Sequence, residues 1–233
     1  MEPMAPAHPL DRAIWSSLTS RQAPLGVTQA GARRYRPEYA LFAALDDDSP
    51  ESLSALADLV IAHGPVAIVE PAPPPPVPGA RIAQSGELVQ MICEDLAPAP
   101  RAPDFEIVAL GDDDAPQMLA LATLTRPGPF FARTHELGDF IGVKVEGQLA
   151  AMAGERMKPD GFTEVSGVCT HPDHRGRGYA EILSQLVAQR IVDRGEIPFL
   201  HAFADNAAAI RLYETLGFRI RLRPTMTVLA AER

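Results

Sequence analysis

Only two cysteines, Cys93 and Cys169, occur in the 233 residues. That number excludes a disulfide scaffold, and a reducing, cytoplasmic setting is expected. A charged start followed by an apolar stretch and a cleavage site is absent, and no apolar run approaches the ~20 residues of a membrane span. A membrane partner is therefore not expected. Positive charge is scarce as well: 21 Lys and Arg face 30 Asp and Glu, a formal net charge of −9. A general phosphate-backbone-binding surface does not fit that balance, so no nucleic-acid partner is expected. The deficit is uneven. Residues 1–100 carry 6 Arg and 12 acids, which leaves 15 Lys and Arg and 18 acids for residues 101–233. A local basic seat for a small anion stays open in the second half.

Proline is plentiful by contrast. "EPAPPPPVPG", Glu70 to Gly79, cannot continue a helix or a central strand and reads as an extended surface loop. "LAPAPRAPD", Leu96 to Asp104, falls where the composition changes. It predicts a boundary between an N-terminal domain, residues 1–100, and a second domain, residues 104–233.

The fold class expected is α/β (α+β). In the first half the pattern gives a helix over 11–19 and a strand from Tyr39 to Leu45. A helix over 51–62 follows, opened by Ser49 and Pro50 and closed by Gly64, and then apolar segments at 65–70 and 87–93. No chemical motif is visible there. In the second half a strand over 104–110 precedes a helix capped by Asp114. Two strands between Phe140 and Met157 turn at Glu146-Gly147, and a further strand from Thr163 to His171 stops at Pro172. The helix from Tyr179 to Arg194 carries apolar residues at steps of three and four and ends at Gly195. Strand 198–204, a helix opened by Asn206 and closed by Gly217, and two more strands finish the chain.

The informative stretch is "THPDHRGRGYAEI", Thr170 to Ile182. Two glycines and two arginines at a helix start suit either a tight strand-to-helix turn or an anion seat. Glycines let a phosphate approach the backbone, the first-turn N–H groups lack helical acceptors, and arginines add charge-assisted bonds. A diphosphate fits. A P-loop needs Lys-Ser/Thr after the glycines, and Gly178 is followed by Tyr179; a Rossmann fingerprint needs a third glycine where Glu181 stands.

"RGRGYA", Arg175 to Ala180, resembles the Arg-x-x-Gly-x-Ala coenzyme A pyrophosphate loop of the GNAT acetyltransferase superfamily. "GVCTHP" upstream resembles that family's fourth strand, and "NAAAIRLYETLGF", Asn206 to Phe218, its second signature helix. The resemblance covers about residues 104–230. "PFLHAFADN" and "AMAGERM" look like the glycine N-acyltransferase-like branch, in which residues 1–100 would be a degenerate second copy without the loop. The resemblance implies a mixed, mostly antiparallel twisted sheet flanked by helices. It also implies acetyl transfer from acetyl-CoA, as cosubstrate, to an amine, with no covalent enzyme intermediate and no metal. The acceptor expected is a small-molecule amine or amino acid. A non-catalytic acyl-CoA sensor and an acetyltransferase acting on a protein lysine or N-terminus are the alternatives. A homodimer is compatible with either.

Site residues follow from the same resemblance. The backbone of Val168, Cys169 and Thr170 would pair with the pantetheine arm, and Arg175, Gly176, Arg177, Gly178, Tyr179 and Ala180 would hold the pyrophosphate. Asn206 is either an ordinary helix cap or, as the resemblance implies, also a contact to the arm. Tyr213 would meet the sulfur and protonate the thiolate, unless it is a half-buried core residue. Gly167 inside its strand marks a bulge or close approach, or simply packs. Glu164 shares a strand face with Ser166 and Val168 and is the candidate base, with an exposed strand glutamate as the alternative. His201, in an apolar strand, is a satisfied core histidine or the base; His135 is a further candidate. Cys169, His171 and His174 have zinc-type identities, but Pro172 breaks their local geometry and no second cluster adjoins them. Cys169 as a nucleophile lacks an evident base. "LDDDSP" and "GDDDAP" read as solvated turns and caps.

Overall fold

The computed structural model describes residues 8–98 and 103–232, so part of the stretch at 96–104 lies outside the described residues. The first half begins with α1 (Ala13–Thr19), entered through a 3-10 turn at Pro9–Arg12. Three antiparallel strands follow: β1 (Gly26–Gln29), β2 (Ala32–Tyr35) and β3 (Ala43–Leu45). The β1–β2 hairpin is not evident in the sequence. It turns at Ala30, whose φ of 41° is left-handed, next to Gly31, and its residues lack the apolar alternation that marks strands. α2 (Pro50–His63) is capped by the Ser49 hydroxyl, which accepts from Ser52 N, and ends at Gly64 with φ 83°. Then come β4 (Val66–Glu70) and the long β5 (Ala80–Ile92).

The second half repeats that order with additions. β6 (Val108–Leu110) is shorter than the 104–110 expected, because Phe105 turns away to pack edge-on against Tyr179 at 4.7 Å. After it come α3 (Ala115–Thr125), β7 (Phe140–Val145), β8 (Gln148–Glu155), β9 (Phe162–Thr170), α4 (Tyr179–Asp193) and β10 (Ile197–Phe203). α5 (Ala207–Thr215), β11 (Arg219–Leu222) and β12 (Thr225–Ala231) close the chain. One nine-stranded sheet runs β4-β12-β5-β10-β9-β8-β7-β6, with β11 also on β5. It is antiparallel apart from β9 beside β10.

The last strands of the two halves are exchanged. β5 pairs with β10, and β12 pairs with β4, while β5 and β12 also pair with each other. Both halves therefore contribute to one sheet and to the walls around it. α4 packs its Ile182, Leu183, Val187 and Ile191 against the sheet, all 3% exposed or less.

β9 carries a bulge. Met152 faces Cys169 and Gly154 faces Ser166, so Gly167 and Val168 together stand opposite the single residue Ala153 and have no partner in the ladder. Gly167 has φ 65°, and a Cβ there would lie 2.8 Å from Phe140 Cε1. Only glycine meets both demands without strain.

Candidate functional site

β9 and β10 are paired only over Phe162–Glu164 and Ile197–Phe199. Beyond that point β10 stays with β5 while β9 stays with β8, and the sheet splits. A cavity of about 520 Å³ occupies the split. Residues 168–170 and 175–180, Asn206 and Tyr213 all line it; Glu164 does not. The charged residues lining it are Arg126, Arg156, Arg175, Arg177 and Glu181. A chain of net charge −9 thus surrounds this one space with four arginines and one acid.

At the cavity's rim α4 starts from Gly178, left-handed at φ 79°, ψ 9°, and no side chain caps it. The first bond along the helix runs from Ile182 N–H to the Gly178 carbonyl, which leaves the preceding amides without helical acceptors. Gly176 is left-handed too, at φ 77°. The loop between β3 and α2 occupies the same place in the first half. There the residues are Asp46, Asp47 and Asp48, and the helix start is closed by Ser49. Only the second half offers an anion seat at that place. Thr170 Oγ1 and His174 Nδ1, in the wall of the same cavity, are buried without a hydrogen-bond partner. These are groups that a polar ligand would satisfy.

Tyr213 projects from α5 into the cavity and is 9% exposed. Burial, with nearby Cys169 adding to it, pushes its phenol up to about 12, so the hydroxyl stays protonated at neutral pH. Asn206 caps α5, its Oδ1 accepting from Ala209 N at 3.1 Å, and also lines the cavity. Burial likewise raises the Cys169 thiol to about 11, against a smaller opposing effect of Thr125. A neutral thiol is a poor nucleophile.

Glu164 requires a correction. Strand alternation placed it with Ser166 and Val168; the bulge at Gly167 separates only Val168, while Glu164 stands where β9 is still paired with β10 at Phe199, short of the split, and lies fully buried against Arg156 and His201. Arg156 grips it with Nε at 2.8 Å and Nη2 at 2.9 Å, and His201 Nδ1 lies 2.8 Å from Oε1. Burial alone would raise its pKa. Arg156 and His201 outweigh that and hold the carboxyl at about 2, too weak a base to take a proton from an amine. The residue that faces the cavity is His201. Its tautomer follows from its neighbours. Gln90 donates from Nε2 to the Leu10 carbonyl and accepts from Arg221 at Oε1, which fixes the amide orientation. The same Nε2 lies 3.3 Å from His201 Nε2, so that ring nitrogen is the acceptor and Nδ1 carries the hydrogen toward Glu164.

A solved structure described as an acetyltransferase of the GNAT family, from Novosphingobium aromaticivorans, is 46% identical to this chain. It aligns over 97% of this chain and 100% of its own length, with a TM-score of 0.89. The chain belongs to the GNAT family of acetyltransferases. A family model described as FR47-like protein matches residues 141–227 of this GNAT protein. A GCN5-related N-acetyltransferase from Kribbella flavida shares the fold at 20% identity and a TM-score of 0.63, over 99% of this chain and 97% of its own. A GCN5-related N-acetyltransferase-like protein from Streptococcus suis does so at 15% and 0.60, over 94% and 92%. No curated protein matches the sequence.

GNAT proteins use acetyl-CoA. The residues present fit such a ligand: an uncapped helix start with arginines beside it for the diphosphate, and unpaired polar atoms along the wall. Within this GNAT fold, the cavity residues that sequence reasoning missed include Phe42, Val69 and Leu88 from the first half, and Arg156. Phe42 and Val69 come into place through β4, and Leu88 through β5, whose pairings span more than a hundred residues. Arg156 follows β8 directly, and its mate Glu164 eight residues on was the available signal. His135 is bonded to Asp112 at 3.0 Å and does not line the cavity. Among the described residues no group of three or more His, Cys, Asp or Glu is placed to hold a metal. No helix among them is long and apolar enough to cross a membrane.

Proposed function

We propose that the protein transfers an acetyl group from acetyl-CoA to the primary amine of a small molecule or amino acid, by direct attack in a ternary complex. One observation carries this reading. The uncapped start of α4, the phenol of Tyr213 and the imidazole of His201 all line one cavity of about 520 Å³, to whose wall Phe42, Val69, Leu88 and Met226 also contribute. A space of that size suits a small acceptor.

Bound acetyl-CoA would supply the acyl thioester. The amides of residues 178–181, with Arg175 and Arg177, would hold its diphosphate. The bulged backbone at Gly167 and Val168 would turn toward the thioester carbonyl and stabilise charge on its oxygen. His201 Nε2 takes the proton from the attacking nitrogen. Its hydrogen bond from Gln90, at 3.3 Å, lies at the long end of the range, and the attacking nitrogen would displace it to reach the lone pair. Glu164 keeps the other ring nitrogen protonated and the ring oriented. Tyr213 gives its proton to the sulfur as the C–S bond breaks and the C–N bond forms. Cys169 takes no part.

Free thiol release from acetyl-CoA across a panel of small amines and amino acids is the test. Release with small acceptors supports the reading. Tight CoA binding with no release would point to a sensor, and release only with a folded protein acceptor to a protein-modifying enzyme.

A further inference from the structure

Beyond the split in the sheet, the cavity wall is apolar: Phe42, Val69, Leu88, Met157, Phe203 and Met226. One cation interrupts it. Arg156 is 8% exposed, its Nε and Nη2 are committed to Glu164, and its guanidinium lies over the Phe42 ring at 4.7 Å from the centroid. Its third nitrogen, Nη1, has no partner among the described residues and is not among the buried unpaired atoms there. Nη1 is therefore an open donor on a side chain that lines the cavity and is fixed from two sides.

The geometry adds a second constraint. Glu164 Oε1 is bonded both to His201 Nδ1, at 2.8 Å, and to Arg156 Nη2, at 2.9 Å. The base and the cation thus stand side by side on one oxygen. An acceptor that presents its amine to His201 brings whatever is attached to the adjacent carbon up to Arg156. A plain alkyl group there leaves Nη1 without an acceptor. A carboxylate on that carbon meets a donor already held in place by Glu164 and Phe42.

We infer that the acceptor is an α-amino acid with an apolar side chain of leucine or phenylalanine size, its carboxylate held by Arg156 Nη1 and its side chain by Phe42, Leu88 and Met226. This rests on the acetyl transfer to an amine proposed above.

Two measurements test it. Calorimetry on the CoA-saturated protein compares N-acetyl-L-leucine and N-acetyl-L-phenylalanine with the decarboxylated N-acetyl-3-methylbutylamine and N-acetyl-2-phenylethylamine. The expected result is about tenfold or tighter binding of the carboxylates. Arg156→Lys, which keeps the charge beside Glu164 but loses the planar fork, narrows that gap. Phe42→Trp, which keeps an aromatic ring beneath the Arg156 guanidinium but fills side-chain space, weakens the phenylalanine product more than N-acetylglycine. Equal affinities within each pair, or preference for the decarboxylated compounds, overturn the inference. Thiol release with the parent amino acids and amines is scored separately. Release with amines in preference to amino acids also overturns the inference and leaves acetyl transfer standing. A carboxylate preference in binding without release from any acceptor supports the carboxylate seat at Arg156 but overturns the transfer reaction, and with it the amino acid's role as acceptor.

Discussion

His201 Nδ1 lies 2.8 Å from Glu164 Oε1, and neither side chain is more than 6% exposed. A carboxylate in that position, already gripped by Arg156, is an anchor for an imidazole rather than a base in its own right. In the proposed reaction the proton acceptor accordingly sits on β10 rather than β9.

Replacing His201 separates chemistry from cofactor binding. In His201→Gln we expect kcat to fall by about 10²–10⁴-fold, the usual size of a general-base contribution, while the calorimetric Kd for coenzyme A is unchanged. A variant with near-normal kcat would return the base to solvent.

Glu164 links the site to stability. Its folded pKa, about 2, lies below its ordinary 4.5. The ionised carboxylate therefore stabilises the fold fully above pH 4.5, and that contribution is lost as the pH falls from 4.5 toward 2. Denaturant midpoints measured down this range should drop for the wild type and drop less for Glu164→Gln. The variant should start about 3 kcal/mol less stable at neutral pH, because it leaves Arg156 buried without its counter-charge.

Tyr213→Phe removes only the hydroxyl. Turnover should fall by about 10²-fold, with coenzyme A affinity retained, as steady-state rates and calorimetry would show. Loss of binding in its place would make Tyr213 a structural residue of α5.

At Gly167 the backbone sets the limit. Gly167→Val puts a branched residue at φ 65° and a Cβ 2.8 Å from Phe140 Cε1. Thermal unfolding should report a loss of about 1–3 kcal/mol, together with reduced acetyl transfer, because the bulge is what turns β9 toward the cavity.

What the sequence disclosed was decided within about ten residues. The loop Arg175–Gly178, the cap at Asn206, the C-terminal glycine Gly195 and the bulge glycine Gly167 are all local backbone demands, readable where they stand. The exchange of β5 and β12 was hidden because Leu88 meets Phe203 and Glu87 meets Thr225, and no local pattern encodes partners so distant. The same exchange is why Phe42, Val69 and Leu88 gave no sign of lining the cavity. Glu164 was expected at the cavity because alternation tells which face a residue takes but not where along β9 the sheet splits, and Glu164 lies where β9 is still paired with Phe199 of β10.

The most direct measurement is a calorimetric titration of coenzyme A into the purified protein, repeated with Arg175→Glu and Gly178→Asp. The account predicts one saturable site, with affinity lowered about tenfold or more in each variant, since each puts a negative charge where the diphosphate is held. No heat of binding in the wild type, or equal affinity in all three proteins, would contradict it.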